Sequence, residues 1–147
     1  MTLNGLHEHD IEYLIKPEAD MSVHVDGSCI VNGGSHPKGG CGVFWGTDHS
    51  WNTSTALPDS VKKATSSRAE LYAAILAIRY AHQFKEIKSL TIHTDSQYVK
   101  KGMTNAKWLA LWKTNGWKTA KSRPVVNQDL WKVLDSLVTG VADKLTV

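Results

Sequence analysis

Cysteine, proline and long apolar runs are what this sequence has least of. Only two cysteines, Cys29 and Cys41, and four prolines occur in 147 residues. Two thiols make no disulfide framework. They read as small core residues, and an intracellular setting is expected. No apolar run approaches the roughly 18 residues of a membrane span, so no membrane partner is expected. The opening MTLNGLHEHDIEYLIKPEAD holds one base, Lys16, against five acids. It has neither the basic start of a secretory signal nor the Arg-rich, acid-poor look of a transit peptide. Within it, His7-Glu8-His9-Asp10 has the residue types of a metal cluster. That stretch lacks hydrophobic periodicity, however, and reads as solvated leader. None of the seven histidines has zinc-site spacing with a cysteine.

One stretch also lacks acid. Between Ser96 and Gln128 stand seven bases (Lys100, Lys101, Lys107, Lys113, Lys118, Lys121, Arg123) and no Asp or Glu. On a chain of net charge +3, this is a local basic surface suited to phosphate backbones. The remaining composition, 41% hydrophobic and 21% charged, is that of a globular domain with a core. Residues 1–20 are expected to form a flexible leader and 21–147 the domain.

Periodicity orders the elements. Met21 to Val25 alternates and runs into Asp26-Gly27-Ser28, which reads as a strand and a turn. Asn32 to Gly40 is dense in Gly and Pro, a turn. Cys41 to Trp45 reads as a second strand and His49 to Ala56 as a weaker third. The period then changes. Leu71, Ala74, Ile75 and Ile78 recur at i, i+3, i+4, i+7, which predicts an amphipathic helix. SLTIHTDS predicts a fourth strand. Short helices are expected at Gln97 to Lys101 and Asn105 to Lys113, and a last one through Leu130, Val133, Leu134, Leu137 and Val138. Lys144 to Val147 reads as the start of a further strand. The order β-β-β-α-β-α-α-α-(β) predicts an α/β fold, a mixed sheet with flanking helices.

Three acids sit where chemistry would need them. Asp26 and Asp95 close the first and fourth strands, and Glu70 opens the long helix. If those strands are neighbours, the three carboxylates meet. Such a cluster repels itself unless a hard divalent cation sits in it, and carboxylate oxygens are the ligands Mg²⁺ prefers. A simpler reading stands beside this one. Ser67-x-x-Glu70 and Thr94-x-x-Gln97 are capping boxes, and Asp26-Gly27 could be an ordinary turn.

Asp26-Gly27-Ser28, Ser67-Arg68-Ala69-Glu70-Leu71, Thr94-Asp95-Ser96 and Asn115-Gly116-Trp117-Lys118-Thr119, in that order, resemble type 1 ribonuclease H in its eukaryotic form. The likeness runs from Met21 to the end. It implies an RNase H-like fold and hydrolysis of the RNA strand of RNA–DNA hybrids. It implies that Asp26, Glu70 and Asp95 bind Mg²⁺ (or Mn²⁺), in a two-metal reaction leaving 5′-phosphate and 3′-hydroxyl ends. It further implies that Asn32, with Ser66 and Ser67 where relatives carry Asn-Gln, reads 2′-hydroxyls and base edges. Thr65 and Asn127 would form a pocket for a DNA phosphate, with Lys63 as a helper. Trp108, Tyr98, Trp117, Lys113 and Lys118 would line the DNA strand. A monomer with an RNA–DNA hybrid as partner is expected.

The family pattern continues past Val147, through a fifth strand, a loop bearing a His and a G-x-x-G-N-x-x-A-D stretch with a fourth carboxylate. The resemblance is thus to a C-terminally truncated domain. The alternative expectation is a catalytically weak or inactive form that binds the hybrid without cutting it.

Overall fold

The computed structural model describes residues 19–30, 37–58, 60–61, 63–83, 87–104 and 106–147. Residues 1–18 of the expected leader, with His7 to Asp10, lie outside them, and its last two residues, Ala19 and Asp20, belong to the first strand. Five strands form one sheet: β1 (Ala19–Ile30), β2 (Lys38–Phe44), β3 (Thr53–Ala56), β4 (Ile87–Thr94) and β5 (Leu145–Thr146). Among the described residues four α-helices accompany them: α1 (Ser66–His82), α2 (Gln97–Thr104), α3 (Ala106–Thr114) and α4 (Gln128–Val138). The order across the sheet is β3-β2-β1-β4-β5. The first three strands form an antiparallel meander, and β4 and β5 join it in parallel. The expected mixed sheet and element order are both present.

Alternation builds the core. Val23 and Val25 of β1, with Leu90 and Ile92 of β4, are buried, whereas their neighbours His24, Asp26 and His93 are exposed. Onto the buried side pack Leu71, Ile75 and Ile78 of α1, the face that the 3.6-residue period marks. Trp131 and Leu134 of α4 complete the cluster, both fully buried. No described helix is long and apolar enough to cross a membrane.

Several boundaries differ from the sequence expectation, each for a physical reason. Asp26-Gly27-Ser28 is not a turn: β1 runs on to Ile30, and these residues pair with Gly42, Cys41 and Gly40 of β2. What ends near Asp26 is the pairing with β4, whose last partners are Val25 and Thr94. The third strand is Thr53–Ala56 alone. His49 to Asn52 instead forms a turn, in which the Asn52 side chain accepts from Trp45 N–H and donates to the Gly46 carbonyl, both at 2.6 Å. The expected capping boxes give way to nearer hydroxyls. Thr65 caps α1, its Oγ1 accepting from Arg68 N–H at 3.1 Å. Ser96 Oγ accepts from Val99 N–H at 3.2 Å at the start of α2. Glu70 is therefore released from a capping role.

Candidate active site and nucleic-acid interface

Strand register carries Asp26 and Asp95 to one place. Val25 and Thr94 are side-by-side partners in a parallel pair, and each acid is the next residue along the chain, Asp26 within β1 and Asp95 just past the end of β4. A glycine brings the third acid. A Cβ on Gly27 would collide with the Ala69 carbonyl carbon and the Glu70 nitrogen. The first turn of α1 thus rests directly on the β1 backbone beside Asp26, at the Ala69–Glu70 peptide.

The three side chains do not draw in to form a ligand set: no group of three or more such side chains among the described residues is arranged to hold a metal. Like charges at one point repel, and the Asp26 carboxylate turns onto its own neighbour, accepting from Gly27 N–H at 2.9 Å. The donor chemistry fits a hard divalent cation nonetheless. All three are carboxylates, Asp26 and Asp95 are exposed, and neither described salt bridge, Arg68–Asp129 or Lys113–Asp135, involves them. Asp26 and Asp95 also share the wall of an open cleft of about 910 Å³ with Lys100 and the ring pair His24–His93. Those two rings stack at 4.4 Å.

A polar network lies beyond the N-terminal end of α1. Arg68, nine per cent exposed, forks onto Asp129 through Nη1 at 2.9 Å and Nη2 at 2.6 Å. The same Nη1 donates to Asn127 Oδ1 at 3.2 Å, and Asn127 Nδ2 donates to Tyr98 Oη at 3.3 Å. Trp131 Nε1 donates to that hydroxyl too, at 2.8 Å. The guanidinium holds the Asp129 carboxyl below its ordinary pKa, and its own pKa is raised by the same bond. Thr65 and Asn127, 62 residues apart, are both tied to Arg68, one to its backbone and one to its side chain.

The aromatic residues form a ladder. Trp108 lies 5.5 Å from Trp112, and Trp112 6.1 Å from Trp117 by ring centroids. Buried Trp131 anchors the ladder from below, 5.5 Å from Trp112 and 5.4 Å from Tyr98. Trp108, Trp112 and Trp117 are half-buried, so each offers both a packed and an open side.

The RNase H family profile matches residues 18–145. The chain belongs to the RNase H family. It is 39% identical over 119 residues to ribonuclease H1 of Homo sapiens, an alignment covering 81% of the chain and 40% of the human protein. It is 41% identical over 121 residues to ribonuclease H of Cyanothece sp., covering 80% of the chain and 69% of that protein. The chain thus spans under half the length of the mammalian relatives it matches. The foamy viral protease-reverse transcriptase, solved in complex with RNA/DNA hybrid, superposes with a TM-score of 0.71 at 22% identity. That superposition covers 86% of this chain and 17% of the viral one and bears on the fold.

Within this RNase H chain the other residues singled out from sequence fall as follows. Ser66 is exposed and Ser67 half-buried in the first turn of α1. Lys118 is exposed in the loop after α3, bridged to Pro124. Lys113 is engaged, its Nζ 3.1 Å from Asp135. The Tyr98 ring is half-buried and its hydroxyl faces the network rather than open solvent. Asn32 lies outside the described residues. Arg68, Asp129 and Trp131 were missed as site-building residues. Their partners are distant in sequence, and no local spacing marks them.

Proposed function

We propose that this chain carries the hydrolytic site of an RNA–DNA hybrid endoribonuclease, cutting the RNA strand to leave 5′-phosphate and 3′-hydroxyl ends. One observation supports the reading: Asp26 and Asp95 each follow a partner of the last β1–β4 pair, and the Ala69–Glu70 peptide of α1 rests against Gly27 beside them. Asp26, Glu70 and Asp95 are the residues that would hold Mg²⁺ or Mn²⁺. Such an ion supplies charge neutralisation at the scissile phosphate and a more acidic water. The chain's own groups bind and orient the duplex. Thr65 and Asn127 take a phosphate of the DNA strand. Trp108 and Trp117 offer ring faces to sugars and bases, and Lys118 offers charge. Ser66 and Ser67 stand where a 2′-hydroxyl or base edge would be read. The names of the relatives, ribonuclease H in each case, support the substrate class.

The test is a labelled hybrid incubated with this chain and Mg²⁺ or Mn²⁺. Cleavage confined to the RNA strand, and lost in Asp95→Asn, is expected. Binding of the hybrid without any cut that Asp95→Asn removes would overturn the nuclease reading.

A further inference from the structure

The Arg68 side chain has a consequence beyond joining two helices. Arginine carries five N–H donors and no acceptor, so only an oxygen can face it. Nη1 therefore sets which way the Asn127 amide points: Oδ1 toward Arg68, Nδ2 away. Of the two Nδ2 hydrogens, one goes to Tyr98 Oη and one is left to donate. Thr65 Oγ1 accepts from Arg68 N–H, which leaves its own hydroxyl hydrogen to donate. The Arg68 side chain thus orients the Asn127 amide, while Thr65 is met by the Arg68 backbone N–H. Among the described residues Arg68 Nε is buried without a hydrogen-bond partner, and a buried unpartnered donor carries a desolvation penalty. Asn127 sits in the left-handed region at φ 61°, which asparagine adopts readily.

We propose that the Arg68–Asp129 fork is a positioning device for substrate binding: it orients the Asn127 amide, which together with Thr65 makes a two-donor seat for one phosphate of the bound duplex. This rests on the proposed reading of Thr65 and Asn127 as phosphate contacts. Asp129 fixes the guanidinium plane through two parallel bonds, and the remaining edge of Nη1 fixes the amide. A lysine keeps the charge but has no planar fork, so it cannot hold both partners in one geometry.

Hybrid binding by fluorescence anisotropy in Ca²⁺ at fixed KCl, with a double-mutant cycle, separates this from a merely structural role. Thr65→Ala and Asn127→Ala are each expected to weaken binding about tenfold, as for a lost hydrogen bond to a charged group. Arg68→Lys should weaken it about as much while still giving a cooperative thermal melt. In an Asn127→Ala background Arg68→Lys should cost nothing further, because it acts through that amide. A structural residue would shift the melt and leave the affinity of the folded chain alone. If Asn127→Ala weakens binding and folded Arg68→Lys binds like wild type, the inference is wrong. Should Arg68→Lys fail to fold, Asp129→Asn takes its place with the same two outcomes. Thr65→Ala and Asn127→Ala chains that bind like wild type defeat the underlying reading and the inference with it.

Discussion

Two glycines that look alike in sequence do opposite things. Gly27 has no room for a methyl group, because α1 lies against it; Gly42, in the neighbouring strand, has its nearest atom at 3.9 Å. Gly27→Ala must push the Ala69–Glu70 peptide outward. A loss of about 1–3 kcal/mol in a urea melt is expected, as for overpacking elsewhere. Cleavage should fall by more than the lost stability explains, because Glu70 moves with that peptide. Gly42→Ala is the control, with a change under about 1 kcal/mol. Equal effects at the two positions would remove the argument that close approach at Gly27 places Glu70. Tyr98 is a second residue with a decided role. Its hydroxyl receives the indole N–H of fully buried Trp131. Tyr98→Phe leaves that donor without a partner and should cost about 1–3 kcal/mol. A neutral Tyr98→Phe would mean that the network does not depend on this hydroxyl.

Elements were more legible than their ends. Period-two runs marked β1, β2 and β4, and the i, i+3, i+4 pattern marked α1 and α4, because burial on one face writes itself into spacing. Ends were harder. Thr65, Ser66 and Ser67 all offer a capping hydroxyl, as do Thr94 and Ser96, and only tertiary placement chooses among them. Asp26-Gly27 looked like a turn, since a glycine kept for close packing cannot be told locally from one kept for flexibility. Least legible was the tie between α1 and α4. Arg68 and Asp129 are 61 residues apart, and nothing near either one names the other. That tie is testable by pH. The Asp129 carboxyl titrates below its ordinary value because Arg68 bonds its charged form. A depressed carboxylate stabilises the fold above its unfolded pKa of about 3.9 and loses that contribution as pH falls through the folded value. Asp129 is exposed for 59% of its side-chain surface, so the pair is worth only about 1 kcal/mol. Wild type and Asp129→Asn should therefore differ near neutral pH and converge as pH drops below about 4. Parallel stability curves across that range would count against the pair as a tie.

At the scale of the whole molecule the proposed metal site would set stability against function. Asp26, Glu70 and Asp95 come from three elements that meet at the end of the β1–β4 pairing. Folding is what brings the charges together; the unfolded chain keeps them apart. As a proposed metal site they would repel one another in the folded chain, and any cation that binds only the assembled site would favour folding. Asp95→Asn removes one charge from the cluster without changing the size of the side chain. In EDTA it should melt higher than wild type, by up to a few degrees. Mg²⁺ at about ten times its dissociation constant should stabilise wild type by about 1.4 kcal/mol. The same addition should leave Asp95→Asn nearly unmoved. The crossing of these two effects is the signature, because a residue that merely packs would lower the melt in both conditions. A wild-type melt indifferent to Mg²⁺, together with an Asp95→Asn melt at or below it in EDTA, would mean that folding does not bring the three acids close enough to act as one site.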